Sequence, residues 1–127
     1  MSDKYPLVCV DVETTGLSQE DEVVAISIRL LNPDGTPTHD EFFSYVKADR
    51  AMSEGAYQVN RITPEILADA PDKFQLCYKL KHWHSLVLGG TLTCPMGHNY
   101  AGFDKARVER LLGDYLVTYS TIIWMTP

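Results

Sequence analysis

Apolar and polar positions along the chain alternate with two different periods, and the change of period marks the elements. Leu7-Val8-Cys9-Val10 is a short apolar run that stops at Asp11, and Thr14-Thr15-Gly16 after it is turn-like, which predicts a buried strand with acidic residues at its end. Glu22 to Leu31 is rich in Val and Ile and reads as a second strand. Asn32-Pro33-Asp34-Gly35 is a turn signal, so the stretch from about Thr36 to Val46 is the returning arm of an antiparallel hairpin.

Beyond the hairpin the spacing becomes helical. Ser53 to Asn60 reads as irregular, and Thr63-Pro64-Glu65 as a short helix start with threonine at the N-cap and proline at the first helical position. Asp72 caps a longer helix, Lys73 to about Leu88, whose apolar face is Phe74, Leu76, Cys77, Leu80, Trp83 and Leu86-Val87; Gly89-Gly90 ends it. Thr91 to Met96 is a candidate strand in which Pro95 argues for an edge or a strand end. Phe103 to Leu112 places Phe103, Ala106, Val108, Leu111 and Leu112 on helical spacing before Gly113, and Leu116 to Trp124 reads as a last strand. The order predicts an α/β fold: a mixed sheet whose parallel members are joined by helical crossovers.

A chain of 127 residues with 45% apolar and 22% charged residues fits one soluble domain, residues 1–127, with no linker or repeat. No apolar run approaches the roughly 20 residues that span a bilayer, and Met1-Ser2-Asp3-Lys4-Tyr5-Pro6 lacks a signal-peptide pattern, so the expectation is a cytoplasmic protein without a membrane partner. Cys9, Cys77 and Cys94 have no paired short spacing and read as buried thiols, neither a disulfide framework nor a zinc knuckle. A net charge of −6 argues against a basic nucleic-acid footprint. That vote is weak where carboxylates load divalent cations, because the ions then dominate the local field.

Two segments carry chemistry. Asp11-Val12-Glu13 lies at a strand end, where residues two apart share a face, so both carboxylates project together and Val12 turns to the core. A solvated strand end is the plain alternative for a lone acidic pair. Following a buried run and preceding Thr-Thr-Gly-Leu, the pair is better explained by a shared hard cation, Mg²⁺ or Mn²⁺. In Gly97-His98-Asn99-Tyr100-Ala101-Gly102-Phe103-Asp104 a polar turn leads into a helix with Asp104 in its first turn, which taken alone reads as an ordinary helix cap.

Together these segments resemble the DEDD (proofreading-exonuclease-like) 3′–5′ exonuclease family. Asp11-Val12-Glu13-Thr14-Thr15-Gly16-Leu17 is similar to its first motif almost letter for letter. His98-Asn99 with Phe103-Asp104 resembles the second with one residue inserted, and Val59-Asn60-Arg61-Ile62-Thr63-Pro64-Glu65 with Ala70-Pro71 resembles the segment between them. The resemblance implies an RNase H-like fold and metal-dependent hydrolysis of phosphodiester bonds at the 3′ end of single-stranded DNA or RNA. It implies a metal and catalytic set of Asp11, Glu13 and Asp104 on Mg²⁺ or Mn²⁺, two ions in the complete family site. Substrate contacts are implied at Thr14, Thr15, Leu17, Asn99 and Phe103.

One part of the pattern is missing. The family's last helix brings a further Asp preceded by His or Tyr, whereas here Asp114, directly after Gly113, is the only aspartate beyond Asp104, and it is not accepted as that ligand. The domain is therefore expected to be truncated at its C-terminal end and weak or inactive alone, or completed or covered by another chain. The competing readings are a non-catalytic exonuclease-like module that binds nucleic acid or a protein, and, more remotely, a phosphatase. The histidines add little: His82 and His84 fall about 200° apart on a helix and read as surface residues, and His39 and the motif residue His98 as structural.

Overall fold

The computed structural model describes residues 6–89, 93–96 and 106–112, the side chains of 94–96 excepted. Three antiparallel strands follow one another, β1 (Leu7–Thr14), β2 (Val23–Leu31) and β3 (Pro37–Tyr45). Helices α1 (Glu54–Asn60), α2 (Pro64–Ala68) and α3 (Lys73–Leu88) lead to β4 (Cys94–Met96), which pairs parallel to β1 to give the order β3-β2-β1-β4. A helical stretch over residues 106–112 follows.

The apolar pattern explains which side of the sheet is covered. Val8 and Val10 on β1, Ile26 and Ile28 on β2 and Phe42 on β3 turn to one face, where Leu76, Cys77, Leu80 and Leu88 of α3 close over them with Val108, Leu111 and Leu112. Each such side chain contributes roughly 1.5–3 kcal/mol by leaving water. Turns and caps fix the connections. Gly35 takes φ +90° in the hairpin turn, where Asp34 accepts from the Thr36 backbone N–H and hydroxyl. Asp72 and Gln75 form a reciprocal capping box at the start of α3, and Gly89, at φ 66°, closes the helix.

β1 carries both carboxylates at its end, as the sequence predicts, and runs to Thr14. Other expectations change. Ser53 to Asn60 is ordered: Ser53 caps α1 by accepting from the Ala56 N–H at 3.1 Å. Arg61, the residue that ends α1, takes the left-handed conformation at φ 57° and lays its guanidinium over the Tyr57 ring, 5.7 Å from the centroid. On α3 the buried stripe is Leu76, Leu80, His84 and Leu88 at every fourth position, with Cys77 beside it. Phe74 and Leu86, assigned to that stripe from sequence, are 62% and 72% exposed, and His84, assigned to the surface, is 1% exposed. Two histidines on opposite sides of a helix cannot both face water when one side is core, and the stripe's phase puts His84 inside. Of the cysteines, Cys77 is buried and its thiol is pushed up to about 11 by burial, whereas Cys9 is half-buried. The strand expected over 116–124 lies outside the described residues. Among the described residues no helix is long and apolar enough to cross a membrane.

Candidate active site

The pleat of β1 separates two kinds of residue. Val8 and Val10 enter the core and Val12 packs against it, which leaves Asp11 exposed and Glu13 half-buried on the opposite face. Across the sheet Asp11 pairs with Ser27 and Glu13 with Ala25, small residues that leave the carboxylates standing above the strand beside them. Burial raises the pKa of Glu13, and the neighbouring charge of Asp11 raises it further. Two oxygen ligands whose negative charges oppose one another suit a hard divalent cation, so the donor chemistry fits the ion expected here. Among the described residues no third His, Cys, Asp or Glu joins them in a group able to hold a metal. Asp104, Asn99 and Phe103 lie outside the described residues.

Directly after Glu13 the ladder with β2 shifts register, and the chain turns into a loop built around Asp21. Asp21 is 6% exposed. Its carboxylate accepts from the Thr15 hydroxyl at 2.7 Å, the Ser18 N–H at 2.9 Å and hydroxyl at 2.8 Å, and Arg50 Nε at 2.8 Å. Led by the Thr15 bond, these donors outweigh burial and hold the carboxyl down at about 2. Gly16 runs so close to this carboxylate that a Cβ would collide with it.

The predicted contact residues divide by environment. Thr15 is fully buried, and all its polar groups are engaged inside the loop: its N–H donates to the Glu22 carbonyl at 2.9 Å, its carbonyl accepts from Ser53 N–H at 2.8 Å, and its hydroxyl accepts from Glu22 N–H at 3.0 Å while donating to Asp21. The Thr14 hydroxyl donates to the Gly16 carbonyl at 2.7 Å, and the Thr14 carbonyl accepts from Asn60 Nδ2 at 3.3 Å. Leu17, by contrast, stands out from the loop, 87% exposed. Sequence reasoning missed Asp21, Arg50, Ser53 and Asn60, which shape this loop. The one available signal was Asp21 itself, an acidic residue just after a Thr-Thr-Gly-Leu-Ser turn where short donors abound.

Comparison with known proteins gives this geometry a context. The profile of a family described as Exonuclease matches residues 8–111. The chain belongs to the exonuclease family. DNA polymerase III PolC-type of Bacillus cereus is 32% identical over 123 residues, covering 94% of this chain and 8% of that protein. Among solved structures, the zinc-ion-bound form of the E. coli ExoI–ssDNA complex superposes with a TM-score of 0.69 at 20% identity, covering 85% of this chain and 23% of that one. The ExoI/SSB-Ct complex gives 0.73 at 17% identity, over 96% of this chain and 28% of that one. The chain thus has the RNase H-like exonuclease fold and spans less than a third of the length of these relatives.

Proposed function

We propose that this exonuclease-family chain hydrolyses phosphodiester bonds at the 3′ end of single-stranded nucleic acid, DNA in the first instance, with Asp11, Glu13 and Asp104 holding Mg²⁺ or Mn²⁺. The observation that carries the reading is the pair Asp11 and Glu13, side by side on the face of β1 away from α3, with mutual repulsion that a cation relieves. The PolC-type relative, a DNA polymerase, and the zinc-bound ExoI complex with single-stranded DNA support the same chemistry. When bound, divalent cations supply an activated water and stabilise the charge on the departing 3′ oxygen.

In this reading the residues of the chain divide the work. Asp11 and Glu13 bind the cations from the strand and Asp104 from the second motif. Leu17 meets the terminal nucleotide directly, with Phe103 and Asn99 as further contacts. Thr14 and Thr15 act by holding the loop that presents Leu17. The ExoI/SSB-Ct complex among the relatives supports a second reading, a module that binds a 3′ end or a partner chain without cleaving.

A single-stranded oligonucleotide labelled at its 3′ end tests both. Metal-dependent loss of the label that Asp11→Ala abolishes supports the nuclease. Retention of the label with binding intact supports the module, and release that survives Asp11→Ala sinks the site assignment.

A further inference from the structure

The loop that follows Glu13 is fastened from two sides. On the inside its donors converge on Asp21; on the outside its carbonyls face two arginines nearly ninety positions away in sequence. Arg107 Nη2 donates to the Ser18 carbonyl at 2.7 Å and reaches the Leu17 carbonyl at 3.5 Å. Arg110 donates to the carbonyls of Gln19 and Asp21. Both lie in the helical stretch 106–112, and their spacing of three residues puts both guanidiniums on one side of it.

We infer that Arg107 and Arg110 are positioning residues that lock the Leu17–Asp21 loop to the 106–112 helix, and so hold in place the loop that follows Asp11 and Glu13. The inference rests on the nuclease reading for its consequence, though not for its geometry. Arg107 is 8% exposed, and a buried guanidinium bonded to loop carbonyls fixes a distance instead of serving as a solvated charge. Val108, Leu111 and Leu112 seat the same helix in the core, so the clamp joins two bodies that are each already held. The Leu17–Asp21 loop opens four residues after Glu13, and its Asp21 holds the Thr15 hydroxyl, so the clamp bears on the strand end that carries the carboxylate pair.

Anion capture is the competing use of two arginines, and their surroundings argue against it. The cleft they line with Lys73 also holds Glu20 and Glu22, and both guanidiniums already donate to backbone carbonyls. Lysine cannot replace this geometry, because a single ammonium lacks the planar fork that meets adjacent carbonyls.

The test uses the 127-residue chain with Arg107→Ala, Arg107→Lys and Arg110→Ala, and with Glu109→Ala as a control on the same helix. Two readouts are needed: amide hydrogen exchange across residues 16–22, and Mn²⁺ binding followed by loss of the free-ion EPR signal. The expected result is faster exchange confined to the loop and a Mn²⁺ dissociation constant raised about 10-fold or more in the alanine variants. Arg107→Lys should recover little of either, and the control should match the unaltered chain. Variants that lose thermal stability but keep the original loop exchange and Mn²⁺ affinity overturn the inference. If the unaltered chain binds no Mn²⁺, the metal reading fails by itself, and loop exchange alone then decides the clamp: faster exchange supports it and unchanged exchange overturns it.

Discussion

Thr15 donates its hydroxyl proton to the Asp21 carboxylate across 2.7 Å, with both side chains closed off from solvent. This bond leads the set that holds the Asp21 carboxyl near 2, below its ordinary 3.8. A group depressed in the folded state stabilises the fold in full above its unfolded pKa. That stabilisation drains away as pH falls from 3.8 towards 2, and it amounts to about 2 kcal/mol. Asp21→Asn should therefore lower stability at neutral pH by that order and flatten the acid limb between pH 4 and 2. Urea denaturation midpoints at a series of pH values check both effects.

Gly16 tests the same loop by volume instead of charge. The carboxylate that a Cβ would strike is the far end of a side chain, but four hydrogen bonds hold it, so it cannot swing aside freely. Gly16→Ala should destabilise by about 1–3 kcal/mol, whereas Gly55→Ala, where a Cβ meets nothing within 4 Å, should be neutral or stabilising. Thermal melts of the two variants side by side measure the difference.

The orientation of α3 gives a third prediction. Leu80 is 1% exposed and lies in the main core, while Leu86, on the same helix, is 72% exposed. Leu80→Ala should cost about 2–5 kcal/mol and Leu86→Ala less than about 0.5. Equal losses at the two positions would show the helix turned from its described face.

That contrast also shows what the sequence could reveal. The strands, the hairpin, the Thr63 and Asp72 caps and the Asp11–Glu13 pair were legible because each is a local signal: alternation, a turn tetrad, a capping residue, two carboxylates one pleat apart. The phase of α3 was not. Seven apolar or aromatic candidates cover too wide an arc to show which edge is core, and only packing against Val8, Ile28 and Phe42 selects the stripe containing His84. α1 was missed for a related reason: it buries no residue, so it has no apolar face to read, and it is held instead by Ser53, Asn60 and Arg61. The loop around Asp21 joins residues up to about ninety positions apart, through Arg50, Arg107 and Arg110, a pairing that no local pattern announces.

Glu13 sets stability against function. Its folded pKa lies above 4.5, so whatever it contributes as a neutral acid below pH 4.5 is lost as pH rises through the folded value, and at neutral pH its charge works against the fold. Glu13→Gln keeps the shape and removes that charge. The variant should melt higher than the unaltered chain at pH 7 and show no gain at pH 4. A divalent cation should reverse the order at pH 7. An ion bound only by the folded state adds RT ln(1 + [L]/Kd), about 2.7 kcal/mol at one hundred times Kd, and Glu13→Gln forfeits most of this with the second carboxylate. Melting curves with and without 10 mM Mg²⁺ or Mn²⁺, a concentration of about the size weak carboxylate sites need, decide the matter. A variant that gains as much from the ion as the unaltered chain would mean that Glu13 is not a ligand and that its repulsion from Asp11 serves no metal.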